Sequence, residues 1–362
     1  MKMTQTPSMI LGGLLFGFSA LATYGQQPDW QKLAADAKAA GEMSHYSEAA
    51  TIYKQALEIQ EKNLGTDCPE VATTLNNLAV VYQNESKDAE AEPLYRRSLE
   101  IWEKIPGQET KVAASLNNLA ALYHNERKDE EAAPLYKRAL TAWEGIGRGE
   151  SSEEIVSLTG LGDILLSQGN YGEAEPLYKR ALAIWEKTGH MEGPEALTTL
   201  TRLGDLYRSQ SDYDKAEPLY DRAVSIWEKS GRSDSPDSAA TLSSLGDIYR
   251  SQSRYAEAEP LLTKVLAIKE KTLGSDDLDV AASANDLALL YNCEEKYAEA
   301  ETFYKKAIEI REKNLGHHHP DVVRTREIYA AMLRQQGRKA EAQEMEMGPV
   351  KVQLNTFQTV TP

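Results

Sequence analysis

Apolar and small residues fall along this chain in paired helical stripes separated by short polar breaks. In the stretch from Thr198 to Gly231, Leu200, Leu203, Gly204 and Tyr207 are spaced i, i+3, i+4, i+7, which places them on one face of a helix. Ser209 to Asp212 is a polar break. A second stripe then carries Ala216, Leu219, Tyr220, Ala223, Ile226 and Trp227, and Gly231 closes it, since glycine readily takes the left-handed conformation after a helix end. The pattern predicts two antiparallel helices of about 15 residues each.

The same pattern returns along the chain. A tyrosine after an A-E-P-L-like run stands at Tyr53, Tyr95, Tyr136, Tyr178, Tyr220 and Tyr304, with Leu262 in the one missing place, at spacings of 42, 41, 42, 42, 42 and 42. Self-similarity at such a period implies a solenoid, whose units bury their apolar faces only against neighbours. Gly162, Gly204 and Gly246 recur at one place in the first helix. Glycine inside a helix costs about 0.5–1 kcal/mol, so its recurrence implies close packing. Pro93, Pro134, Pro176, Pro218 and Pro260 are expected near the start of the second helix, where a missing N–H does little harm.

The framework Leu203, Gly204, Tyr207, Ala216, Tyr220, Ala223 resembles the tetratricopeptide repeat. The period and phrases such as LNNLAVVY, AEPLYKRALAIWEK and KNLGHHHPDV are similar to the kinesin-light-chain type. The resemblance implies an all-α, right-handed α-solenoid of about seven to eight antiparallel helix pairs over residues 29–347. Its repeats are expected near 30–66, 69–107, 110–148, 152–190, 194–232, 236–274 and 278–316, with a partial one at 320–347. The ends depart from the pattern as caps do: Asp36 and Ala40 replace apolar and tyrosine positions, and Arg324, Arg326 and Glu327 make the last first-helix polar. The tail, 348–362, is expected to be extended or disordered.

Residues 1–25 read as a signal peptide: Lys2 supplies a short positive region, Met9 to Ala22 an apolar stretch, and small residues follow. The stretch is short of the about 20 residues a membrane span needs, so cleavage, export (periplasmic or secreted) and no membrane insertion afterwards are expected. The net charge of −16 argues against nucleic acid and anionic membranes as partners. Cys68 and Cys293 lie five repeats apart, too far for a disulfide, and are expected as free thiols.

Catalytic signatures are absent: no phosphate-cradling glycine loop, G-x-S-x-G or H-E-x-x-H occurs. Trp102, Trp143, Trp185 and Trp227 sit at core spacing. His317, His318 and His319 occupy the inter-repeat loop aligned with Cys68 and Asp277, and are read as loop residues and not as metal ligands. No enzyme activity, metal or cofactor is expected.

The unused face of the first helices is the candidate site. Beside the core stripe of copy five run Thr201, Asp205 and Arg208. The equivalents elsewhere are Asn76, Val80 and Gln83; Asn117, Ala121 and His124; Thr159, Asp163 and Leu166; Ser243, Asp247 and Arg250; Asn285, Leu289 and Asn292. The resemblance implies that this stripe lines a concave groove. Asn76 and Asn117 would then pair with the backbone of an extended peptide, and Asn285 would line the same groove farther along. Asp163, Asp205 and Asp247, with Arg208 and Arg250, either contact the ligand or pair among themselves. Three aspartates against two arginines favour a peptide bringing basic groups. The expected function is a monomeric, non-catalytic scaffold holding an unidentified protein or peptide segment; the alternative is a self-assembling component of the cell envelope.

Overall fold

The computed structural model describes residues 29–147 and 151–348, so the predicted signal peptide and the tail beyond Gly348 lie outside the described residues. Among the described residues the chain forms sixteen α-helices and no strand. They belong to two compact units that divide between Met191 and Glu192. The first unit holds α1 (Asp29–Glu42), α2 (Tyr46–Leu64), α3 (Pro69–Asn84), α4 (Asp88–Lys104), α5 (Glu109–Asn125), α6 (Asp129–Gly145), α7 (Ser152–Ser167) and α8 (Tyr171–Thr188). The second holds α9 (Pro194–Ser209), α10 (Tyr213–Lys229), α11 (Pro236–Ser251), α12 (Tyr255–Leu273), α13 (Leu278–Cys293), α14 (Tyr297–Leu315), α15 (Pro320–Gln335) and α16 (Lys339–Met347). Within each unit every odd helix packs on the even helix after it, and each even helix on the next odd one. The all-α stack of helix pairs implied by the repeat is therefore what forms, with a complete α15 and a short α16 as the eighth pair.

The turn inside each pair is built alike. Ser86 takes a left-handed backbone at φ 58°, as do Arg127, Ser211, Ser253 and Glu295 at φ 59–63°. Two bonds then close the helix: Ser86 N–H to the Gln83 carbonyl at 3.0 Å, and Lys87 N–H to the Tyr82 carbonyl at 2.9 Å. This is the Schellman arrangement, which satisfies carbonyls a helix end would otherwise leave bare. Its usual side-chain contact is here a cation over a ring: Lys87 Nζ sits 5.8 Å from the Tyr82 ring centre, Lys128 5.6 Å from Tyr123, and Lys296 5.5 Å from Tyr291.

The recurrent prolines lie near the helix starts as expected, but past the unbonded first turn where a missing N–H would do little harm. Pro93 is the sixth residue of α4, and Pro134, Pro176, Pro218 and Pro260 hold the same place in α6, α8, α10 and α12. Each therefore forgoes one intrahelical bond instead of occupying the unbonded first turn. Two further adjustments concern the ends. Ala40 is buried although it stands for a tyrosine, and Arg326 turns inward to pair with Glu312 of α14 instead of forming part of a polar outer face. Cys68 and Cys293 are free.

The core is threaded by the marker residues. Tyr53, Tyr95, Tyr178, Tyr220 and Tyr304 are fully buried, and Trp102, Trp143 and Trp227 lie beside them in the core. Two marker rings abut the glycine of their own first helix. A Cβ built on Gly162 would come within 2.9 Å of Tyr178 Cζ, and one on Gly204 within 2.8 Å of Tyr220 Cζ. Where the small residue is alanine (Ala79, Ala120, Ala288) it is fully buried too. Replacing Gly204 with alanine forces the Tyr220 ring aside at about 1–3 kcal/mol, against about 1 kcal/mol gained in helix propensity. A net loss in urea denaturation is expected; a net gain would show that the ring yields freely.

Candidate ligand-binding face

In the first unit the expected stripe is largely consumed by the fold. Asn76 and Asn117 are fully buried. The Asn118 side chain donates to Asn76 Oδ1 at 2.8 Å, bridging α5 to α3. Asn117 donates to the Glu153 carbonyl at 3.1 Å and accepts from the Ser157 hydroxyl at 2.5 Å, bridging α5 to α7. These amides join successive first helices, so the assignment of Asn76 and Asn117 to a peptide-facing stripe is corrected. Asp163 is half-buried and accepts the Tyr178 hydroxyl at 2.6 Å. His124 is engaged by Asp129 at 2.7 Å.

The second unit uses the same positions differently. Asp205 accepts the Tyr220 hydroxyl at 2.7 Å and the Ser244 hydroxyl at 3.3 Å, with Arg208 at 3.5 Å. It is a structural joint between α9, α10 and α11. Burial, followed by the neighbouring Asp205 charge, drives the Tyr220 phenol well above its ordinary range. Asp247 pairs with Arg250 at 3.0 Å. Both aspartate–arginine pairs are thus internal, yet Arg208 Nε and Arg250 Nε are buried without a partner.

The repeat logic breaks between α11 and α14. Asp163 and Asp205 are each met by the tyrosine of their own pair, but Asp247 faces Leu262 in that place. One repeat later the tyrosine is present and the acid is not. Tyr304 is fully buried, Leu289 stands at the aspartate position, and the Tyr304 hydroxyl has no partner. Asn285 Oδ1 and Asn292 Oδ1, on the same helix α13, are also buried and unpartnered.

Asp286 was not among the residues the sequence singled out. It stands where Ser244 stands one repeat earlier, the position from which Ser244 reaches back to Asp205. Burial, and then the nearby Asp247 charge, push its carboxyl up to about 6, with Arg250, Lys269 and Arg311 opposing. The signal that could have found it lay in the copies: a second acid set opposite an aspartate that had lost its tyrosine.

The three histidines diverge. His317 lies 3.1 Å from Glu312, whereas His319 caps α15 by accepting from the Asp321 N–H at 3.2 Å. Asp277 and Ser235 cap α13 and α11 from the same loop position. Among the described residues no three His, Cys, Asp or Glu side chains converge to hold a metal.

A carboxyl raised in the folded chain makes folding most favourable below its unfolded value, and that contribution is lost as pH rises through about 6. Asp286→Asn is therefore expected to stabilise the chain by about 1–3 kcal/mol near neutral pH, with the gain fading toward pH 4. Urea denaturation at both pH values measures it; an equal gain at both would contradict the assigned burial cost.

No curated protein matches the chain. Among solved structures, that of RapI in its apo form aligns with a TM-score of 0.59 at 16% identity, covering 79% of this chain and 98% of its own. A tetratricopeptide repeat protein from Parabacteroides merdae aligns at 0.52 and 19% identity, covering 90% and 100%. BtubC (BKLC) from P. vanneervenii aligns at 0.52 and 22%, covering 68% and 94%. These likenesses describe the fold. The tetratricopeptide repeat family pattern itself matches residues 37–107, 111–187, 195–271 and 279–347, and with the paired helices and buried marker tyrosines this chain belongs to the tetratricopeptide repeat family.

Proposed function

We propose that this chain is a non-catalytic interaction scaffold, acting as a monomer outside the cytoplasm, that holds an extended peptide or protein segment against the first-helix face of its second unit. The export part rests on the apolar N-terminal stretch from Met9 to Ala22 behind Lys2. A protein partner fits the family, whose helix pairs present side chains instead of enclosing a reaction chamber.

One observation carries the placement. Asn285 Oδ1, Asn292 Oδ1, Arg208 Nε and Arg250 Nε are all buried without hydrogen bonds on the first helices of one unit. Buried polar atoms left bare cost about 1–3 kcal/mol each, and native folds keep few of them. All four side chains are part-exposed, and rotation of their outer torsions would present these groups to an extended backbone, which offers donors and acceptors in turn. The corresponding asparagines of the first unit are already bonded to their own neighbours, so that unit offers less to a ligand.

The test is capture by the full chain, crosslinked in its native host and read by mass spectrometry. Asn285→Ala with Asn292→Ala removes two amides whose oxygens hold nothing else in place. Capture is expected to fall at least about tenfold, as lost hydrogen bonds of this kind imply, with helicity and melting unchanged. Undiminished capture of the same partner by the double variant would remove the assignment.

A further inference from the structure

We propose that the junction of the sixth and seventh helix pairs is a subsite for one cationic side chain of the bound segment, a lysine or arginine, recognised by the Asp286 carboxylate beside the Asp247–Arg250 pair. The inference rests on the reading of the second unit's first-helix face as the binding surface, and names what one part of that surface recognises.

Three observations converge there. Asp286 is half-buried, and among the described residues no hydrogen bond or ion pair engages it, although Arg250, Lys269 and Arg311 all act on it electrostatically. Arg250 is held by Asp247 at 3.0 Å, and Arg311 is buried and bonded to the Thr325 hydroxyl. Arg250 is thereby already paired, and among the described residues no ion pair joins Lys269 or Arg311 to Asp286. Second, Tyr304 is fully buried with an unpartnered hydroxyl. In the fourth and fifth pairs the equivalent hydroxyls of Tyr178 and Tyr220 end on an aspartate of the first helix; here the hydroxyl arrives at that face and finds Leu289. The charge of Arg250 acts on both Tyr304 and Asp286. Third, Asn285 Oδ1 and Asn292 Oδ1 add two bare acceptors on the same helix.

The inventory decides the ligand's chemistry. The unmet groups beside the part-exposed face are mostly acceptors, the Asp286 carboxylate and two amide oxygens, against the donor Arg250 Nε. An ammonium or guanidinium supplies several donors and a charge at once. An anionic or wholly apolar group would leave Asp286 buried and unpaired. The recognition is also pH-dependent. Asp286 faces Asp247 and Arg250 from α11, Lys269 from α12 and Arg311 from α14, and these leave its carboxyl raised to about 6. A cation favours the ionised form, so affinity is full above that value and falls as pH drops through it, by up to about tenfold per pH unit.

The test selects randomised dodecapeptides displayed on phage against the full chain near pH 7.5, and then against Asp286→Asn and Asp247→Asn. The expected result is enrichment of lysine or arginine at one peptide position by the parent and loss of that enrichment by Asp286→Asn. A selected peptide should also bind the parent about tenfold more weakly at pH 5 than at pH 7, with the difference abolished in Asp286→Asn. Unchanged circular dichroism and melting cooperativity confirm that the variants fold, and the Asn285→Ala, Asn292→Ala chain provides a second perturbation beside Asp286. Peptides selected without a basic position, or enriched for one equally by Asp286→Asn, overturn the cation subsite and leave the binding face standing. If the parent selects no peptide at all, the binding face fails, and the subsite with it.

Discussion

The contact on which both units depend is a tyrosine ring pressed against a residue with little or no side chain. Tyr178 and Tyr220 lie so close to Gly162 and Gly204 that a single added carbon would collide with the ring. That approach sets the spacing of the two helices in a pair and brings the phenol to the first-helix face. Where an aspartate follows the glycine and the ring is present, the phenol ends on the acid, as Tyr178 does on Asp163 and Tyr220 on Asp205. Packing thereby places a hydrogen bond, and the hydrogen bond ties up an acid that would otherwise face outward.

The triplet of small residue, acid and tyrosine makes its own exceptions informative. In the sixth pair the glycine and the acid remain while Leu262 replaces the ring; in the seventh the ring remains while Leu289 replaces the acid. Neither change disturbs the stack, because Leu262 and Tyr304 are both buried in the ordinary way. Each nevertheless releases a polar group from its internal partner. Function at this face is thus a residue of incomplete internal pairing, and it coincides with the place where neighbouring copies no longer match.

Much of the fold was legible because the period acts at every level. Leu200, Leu203, Gly204 and Tyr207 mark a helix, their recurrence marks a stack, and the glycine marks a close approach. Less of the site could be read. Asn76, Asn117 and Asn285 occupy one repeat position, yet the first two are consumed by Asn118, Ser157 and the Glu153 backbone, partners on the neighbouring helix that only the three-dimensional register supplies. Asp286 was missed for the converse reason: its importance comes from what Asp247 lacks and from burial, neither of which is written at position 286 itself. The helix starts were read correctly, but the cost of the prolines was understated, because at the sixth position a missing N–H already falls within the bonded ladder.

That turn has a consequence for how such a chain changes over time. It closes entirely on its own backbone, from Lys87 to Tyr82 and in the same way in later pairs, and it accepts serine, arginine or glutamate at the left-handed position. A hairpin defined so locally survives wholesale substitution of the side chains its neighbours see. Lineages can therefore edit the recognition letters of one hairpin while leaving the others untouched, which lets an old scaffold acquire new clients by small steps.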